Sequence, residues 1–217
     1  MDAERHRKEM EDLFREWKGS WQGRSPQDMF PAEKFVQDGP IYPSAYWQGQ
    51  RRMVFVLKDT NNLGNCDLAA AIRADLKRGK KTWPWVTRWA GALLGEDPGN
   101  SEKIWANVAM LNLKKADGGS SLGGNVLNWY ALMDKKHILD EFEILDPQVV
   151  FLCGTADSAL WLFNLDKMPI GREKPFWFAQ DGRIFISIWH PKYRRQQRLE
   201  EAQDWLRSNR EKIWANG

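Results

Sequence analysis

Apolar residues follow two rhythms along this chain. Between residues 2 and 18, Met10, Leu13, Phe14 and Trp17 recur at three- and four-residue intervals among charged side chains, which predicts an amphipathic helix. Further on, short apolar runs replace that rhythm, at 53–57, 108–111 (followed by Asn112, which closes the predicted strand 108–112) and 149–153. Such runs predict strands buried on both faces, as in a parallel sheet. Helical spacing returns between them, over 67–78, 84–95, 101–106, 126–145, 155–164 and 194–214, with Gly79 and Gly95 placed as stop signals. Residues 176–179 and 184–188 flank Asp181-Gly182, which predicts a hairpin or two neighbouring strands. Residues 19–50, rich in Gly, Pro and aromatic side chains, predict an irregular lead-in.

Strands alternating with helices predict an α/β fold: a three-layer α/β/α domain around a mainly parallel four-stranded central sheet. The expected division is an N-terminal helix and irregular extension over 1–50, packed on a domain over 51–217. In such sheets the ligand site lies beyond the carboxyl ends of the strands. Asp59, Asn112 and His190 follow or close three of the predicted strands, so the topology would gather them at one end of the sheet.

Composition narrows the chemistry. The 217 residues are 42% hydrophobic, enough for a full core. Thirteen tryptophans exceed what a binding surface needs, so most are expected to pack. Cys66 and Cys153 stand far apart, so thiolates build neither a zinc site nor an iron–sulfur cluster. The opening MDAERHRKEM lacks the apolar core of a signal peptide, and no apolar run reaches membrane-spanning length. A soluble, cytoplasmic protein is expected, without membrane, metal or organic cofactor. A net charge of +3 does not by itself indicate a nucleic-acid partner; the placement of the charge decides that.

Four short motifs lie in order across roughly 51–195. They are Leu57-Lys58-Asp59-Thr60-Asn61-Asn62 after the first strand and Ala109-Met110-Leu111-Asn112 closing the second. Val150-Phe151-Leu152-Cys153-Gly154 closes the third, and Trp189-His190-Pro191-Lys192 follows the last. In order and placement they resemble the motifs of the uracil-DNA glycosylase superfamily. The resemblance implies a four-stranded parallel sheet and a monofunctional enzyme that hydrolyses an N-glycosidic bond in DNA. Asp59 falls on the family's water-positioning aspartate, His190 on its leaving-base histidine, and Asn112 on the asparagine that reads the flipped base.

The chemistry asks for such residues. A base in duplex DNA must be extruded before it can be cut away. Cleavage builds positive charge on the sugar and negative charge on the departing base. A carboxylate answers the first, and a donor near the base oxygen answers the second. An asparagine amide offers one acceptor and two donors to a pairing edge. No lysine stands out as a Schiff-base nucleophile, so strand cleavage is not expected.

Departures from the family shape the expected specificity. Its Pro-Tyr after the aspartate is Thr60-Asn61 here. That tyrosine excludes groups at C5 of the base, so Asn61, beside Thr60, would open the wall to a hydroxymethyl or glucosylated cytosine. The favoured setting is then defence against phage carrying modified DNA, with plain uracil excision in repair as the alternative. The aromatic that stacks on the base has no clear match, and Trp47 or Trp83 is a candidate substitute. The family's His-Pro-Ser-Pro-Leu loop is His190-Pro191-Lys192-Tyr193-Arg194-Arg195 here. Tyr193 or Arg194 would fill the vacated stack, while Lys192 and Arg195 would hold phosphates. Lys58, Lys114, Lys115 and Gly154 complete the expected DNA-binding set of a monomeric enzyme.

Plainer readings stand beside these. Asp59 can serve as a turn or helix cap, and Asn112 as a cap to the loop after its strand. His6 and His137 are expected to be incidental. Lys77, Arg78, Lys80 and Lys81 suit a helix C-terminus. The mixed charges of 194–214 suit a solvated face except at its N-terminal end. A non-catalytic DNA-binding relative and an unrelated α/β enzyme are the remaining alternatives.

Overall fold

The computed structural model of the chain describes residues 2–24, 30–61, 66–78, 83–118, 124–165, 175–190 and 196–216. It is a mixed α/β fold. Helices α1 (Ala3–Ser20), α2 (Pro43–Gln48), α3 (Leu68–Lys77), α4 (Pro84–Leu94) and α5 (Ser101–Trp105) precede the middle of the chain. Helices α6 (Gly124–Met133), α7 (Lys135–Leu145), α8 (Ala156–Leu162) and α9 (Gln196–Ala215) follow. Six strands are interleaved: β1 (Gly39–Pro40), β2 (Met53–Asn61), β3 (Val108–Gly118), β4 (Val149–Cys153), β5 (Phe176–Gln180) and β6 (Arg183–Ile188).

The strands form one mixed sheet in the order β1-β3-β2-β4-β6-β5. β2 runs parallel to both β3 and β4, and β4 runs parallel to β6. The two edges are antiparallel: β1 on β3, and β5 on β6 as the reversal through Asp181-Gly182. Among the described residues the sheet therefore has six strands, where a four-stranded central sheet was expected. β1 was hidden because Gly39 and Pro40 carry no strand propensity, and a proline is tolerated only at such an edge.

Strand alternation divides the core. Met53, Phe55, Met110, Phe151 and Ile186 pack with α3, α4, α5 and α9. Val54, Val56, Leu111, Val150, Leu152 and Phe185 pack with α1, α2, α6, α7 and α8. Phe55 and Phe151, opposite each other on β2 and β4, stack with centroids 4.3 Å apart. Such a cross-strand pair contributes roughly 0.2–1 kcal/mol beyond the backbone ladder.

Three boundaries differ from the sequence expectation. β2 and β3 continue past Leu57 and Asn112 into what reads as polar loop, with Asp59 opposite Lys114 in register. Opposite charges facing each other across the ladder replace the apolar pairs that end there. The expected single helix over 126–145 is two. Asp134, fully buried, leaves helical geometry at φ −106° and ψ 13°. Its carboxylate accepts bonds from Arg24 Nη1 at 2.5 Å and Trp21 Nε1 at 3.2 Å, which tie the chain after α1 to this break. The end of α4 matches its signal: Gly95 takes φ +76°, a left-handed cap that suits glycine.

Candidate active site at the ends of the parallel strands

The parallel strands β3, β2, β4 and β6 present their carboxyl ends to the same edge of the sheet. Asp59 lies on β2, Asn112 and Lys114 on β3, Gly154 just past β4, and His190 two residues past β6. Asn112 sits beside Leu57 in register, one step before the Asp59–Lys114 pair. By register Asp59 and Asn112 follow the parity of Phe55 and Met110, while Lys114 Nζ reaches Tyr130, which packs in the core on the α1 side. Neighbouring strands are about 4.8 Å apart, so β2 and β6 stand roughly 10 Å from each other across β4.

Lys114 Nζ lies 4.0 Å from Asp59 Oδ2 and 5.2 Å from the centroid of the Tyr130 ring. Burial lowers the pKa of the Lys114 ammonium, and Asp59 and Asp117 oppose that shift. Gly154 adopts φ +69°, and a Cβ placed there would stand 3.2 Å from His190 Cβ. The glycine thus lets β4 close against the segment that carries His190. Its amide donates to Ile188 O at 2.9 Å, which continues the β4–β6 ladder to this point.

Asn112 is 1% exposed. Its backbone N–H and its side-chain Nδ2 both donate to Asp38 Oδ2, at 2.6 and 2.8 Å. Its Oδ1 is buried and, among the described residues, has no hydrogen-bond partner. Buried acceptors are paired in the great majority of cases, so an orphan here needs an explanation. Thr60 Oγ1, on β2, is a second buried oxygen without a partner among the described residues.

Asp38 is anchored from below. Its other oxygen accepts a short hydrogen bond from Lys115 Nζ. Lys115 Nζ also lies 2.7 Å from Glu141 Oε2. The rings of Trp17 and Phe14, both on α1, flank the same ammonium with centroids 5.0 and 5.6 Å away. Burial lowers the Lys115 pKa, but Asp38 and Glu141 outweigh it, and the net shift is upward. Burial and then Asp38 raise the Glu141 carboxyl well above its usual range.

Several expected residues fall elsewhere. Lys115 follows the parity of Leu113 onto the α1 side and is sealed there, so it does not meet a phosphate. Trp47 is 2% exposed, stacks on His6 and donates to Ile144 O, which removes it as a base-stacking candidate. Trp83 packs at the start of α4. Lys58 is half-buried on β2. Asn61 closes β2, but its side chain lies outside the described residues, as do Lys192, Tyr193, Arg194 and Arg195. His137 packs, stacking on Trp17 at 5.3 Å. Sequence reading missed Asp38, Glu141 and Tyr130. Among the described residues no three His, Cys, Asp or Glu side chains converge as metal ligands, and no helix is long and apolar enough to cross a membrane.

No protein-family model matches this chain, and comparison with curated proteins finds no relative.

Proposed function

We propose that this chain is a monofunctional DNA glycosylase, a divergent member of the uracil-DNA glycosylase superfamily with its three-layer α/β/α architecture. The observation that carries the reading is the orphan Oδ1 of Asn112, buried within β3 beside the strand that bears Asp59. An acceptor held dry and unpaired is suited to a ligand that brings its own N–H donor, as the pairing edge of a flipped base does. Asp59 stabilises the sugar as the bond breaks and positions the attacking water. His190, two strands away, donates toward the departing base.

The favoured substrate is a cytosine enlarged at C5, such as hydroxymethyl- or glucosyl-hydroxymethylcytosine, and the setting is defence against phage with modified DNA. This part rests on Asn61 in place of a C5-blocking tyrosine. Excision of uracil in repair is the alternative. The protein would act as a cytoplasmic monomer on DNA, without a cofactor.

The test is base release from oligonucleotides containing uracil, thymine, 5-hydroxymethylcytosine or its glucosylated form, with alkali revealing abasic sites. Wild type should release the bulky cytosines. Asp59→Asn and His190→Ala should each lower the rate about 10²–10⁴-fold. Release of uracil alone would return the protein to repair. No release from any substrate would overturn the glycosylase reading.

A further inference from the structure

We infer that Asp38 is the positioning residue that sets which edge of a base this site accepts, by clamping the Asn112 amide so that Oδ1 faces the ligand as a fixed acceptor. The inference rests on the proposed reading of Asn112 as the group that meets the base.

An asparagine amide is nearly symmetric in shape and opposite in chemistry at its two ends. Left free, it can turn over and offer a donor where it offered an acceptor. Here it cannot. Asp38 Oδ2 takes the backbone N–H of Asn112 at 2.6 Å and its Nδ2 at 2.8 Å. A turned amide would press Oδ1 against a carboxylate oxygen, two acceptors with no proton between them, in a buried setting where that conflict is strong. The carboxylate is itself immobilised. Its second oxygen holds Lys115, which Glu141, Trp17 and Phe14 enclose. Asp38, Lys115 and Glu141 are at most 6% exposed, so water does not compete for these bonds.

The amide therefore has one acceptor, Oδ1, and one remaining Nδ2 hydrogen for a ligand. The matching partner carries an N–H opposite Oδ1 and an acceptor opposite the remaining Nδ2 hydrogen: the N3–H and O4 of a uracil-type base, or, in a pose shifted along the pairing edge because the order is reversed, the exocyclic amino group and N3 of a cytosine-type base. A base whose corresponding nitrogen is methylated leaves Oδ1 buried and unpaired, which costs roughly ten- to a hundredfold in binding.

The experiment compares wild type with Asp38→Asn, checked for folding by its thermal transition. Duplexes carry uracil or 3-methyluracil, and 5-hydroxymethylcytosine or its N4,N4-dimethyl derivative. Wild type should prefer each N–H base over its methylated partner by roughly ten- to a hundredfold. In folded Asp38→Asn that preference should fall to within about threefold, because the amide turns. A merely structural Asp38 would lower binding to both members of a pair and leave the ratio intact, which overturns the inference. A second measurement needs no DNA. The Asn112 side-chain amide protons, identified by their loss in Asn112→Ala, should exchange slowly with solvent in wild type and at least tenfold faster in Asp38→Asn. Fast exchange in wild type overturns the clamp. Base release without any N–H preference overturns the inference and leaves the glycosylase reading standing. Failure to bind or cut any probe overturns that reading and the inference with it.

Discussion

Asp38 Oδ2 accepts both the backbone N–H and the side-chain amide of Asn112, across 74 positions of sequence. The bond joins a segment without periodicity to the middle of β3, next to the central strand β2. Everything beneath it keeps that carboxylate in place: Lys115 on β3, Glu141 on α7, and the aromatic face of α1. The base of the candidate site is thus an ion cluster walled by the N-terminal helix, and its stability is open to direct test.

Lys115→Met is the sharpest perturbation. It leaves Asp38 without its cation in a dry environment, and breaking a buried pair in this way costs about 3–5 kcal/mol. Denaturant unfolding of wild type and variant should give a loss in that range. A loss under about 1 kcal/mol would mean that water reaches the cluster after the substitution.

Glu141 gives the cluster a pH signature. Its folded-state carboxyl is raised well above 4.5, by burial and then by Asp38. The folded state therefore holds a proton that the unfolded chain releases first. The stability associated with Glu141 is complete below the unfolded value and is lost as pH rises through the folded one. Glu141→Gln, a neutral isostere, should remove that slope. Unfolding midpoints measured from pH 4 to pH 8 should decline less steeply for Glu141→Gln than for wild type. Parallel profiles would show that Glu141 does not hold the proton.

Much of the fold was legible because buried parallel strands announce themselves as unbroken apolar runs. The runs at 53–57, 108–111 and 149–153 all lie in strands. Asp59 and Asn112 stood out for the same reason, as polar residues adjoining such runs. Legibility failed where the deciding contact is tertiary. Asp38 and Glu141 look like ordinary surface carboxylates in one dimension. Lys115 carried an unused signal: a strand continuing through Leu111 and Leu113 puts residue 115 on the same apolar face. Reading a loop after Asn112 concealed that parity. β1 was lost because a two-residue edge strand of Gly and Pro has no pattern to detect.

Trp17 tests whether α1 belongs to the site or merely covers it. Its ring is fully buried, stacks on His137 and faces the Lys115 ammonium. Trp17→Ala should cost about 3–5 kcal/mol, as for other large-to-small changes in a core. It should also let water reach Lys115. The Asn112 amide protons should then exchange faster even at temperatures where the variant remains folded. Unchanged exchange in the folded variant would separate α1 from the positioning of Asn112.

Gly154→Ala addresses the other half of the site. The position has φ +69°, where an L-residue with a Cβ pays about 1–2 kcal/mol. The new methyl would also stand 3.2 Å from His190 Cβ, tighter than ordinary contact, so the His190 segment must give way. Strain and displacement predict different readouts. Strain alone lowers the unfolding free energy by that amount and leaves activity in the folded fraction unchanged. Displacement of His190 by the few tenths of an ångström that this contact demands moves the group proposed to face the departing base, and misplacement of such a group lowers the rate. The expected result is a modest loss of stability with a measurable loss of base release, smaller than that of His190→Ala. Full activity in folded Gly154→Ala would show that the close approach of β4 to the His190 segment serves packing and not the placement of the histidine.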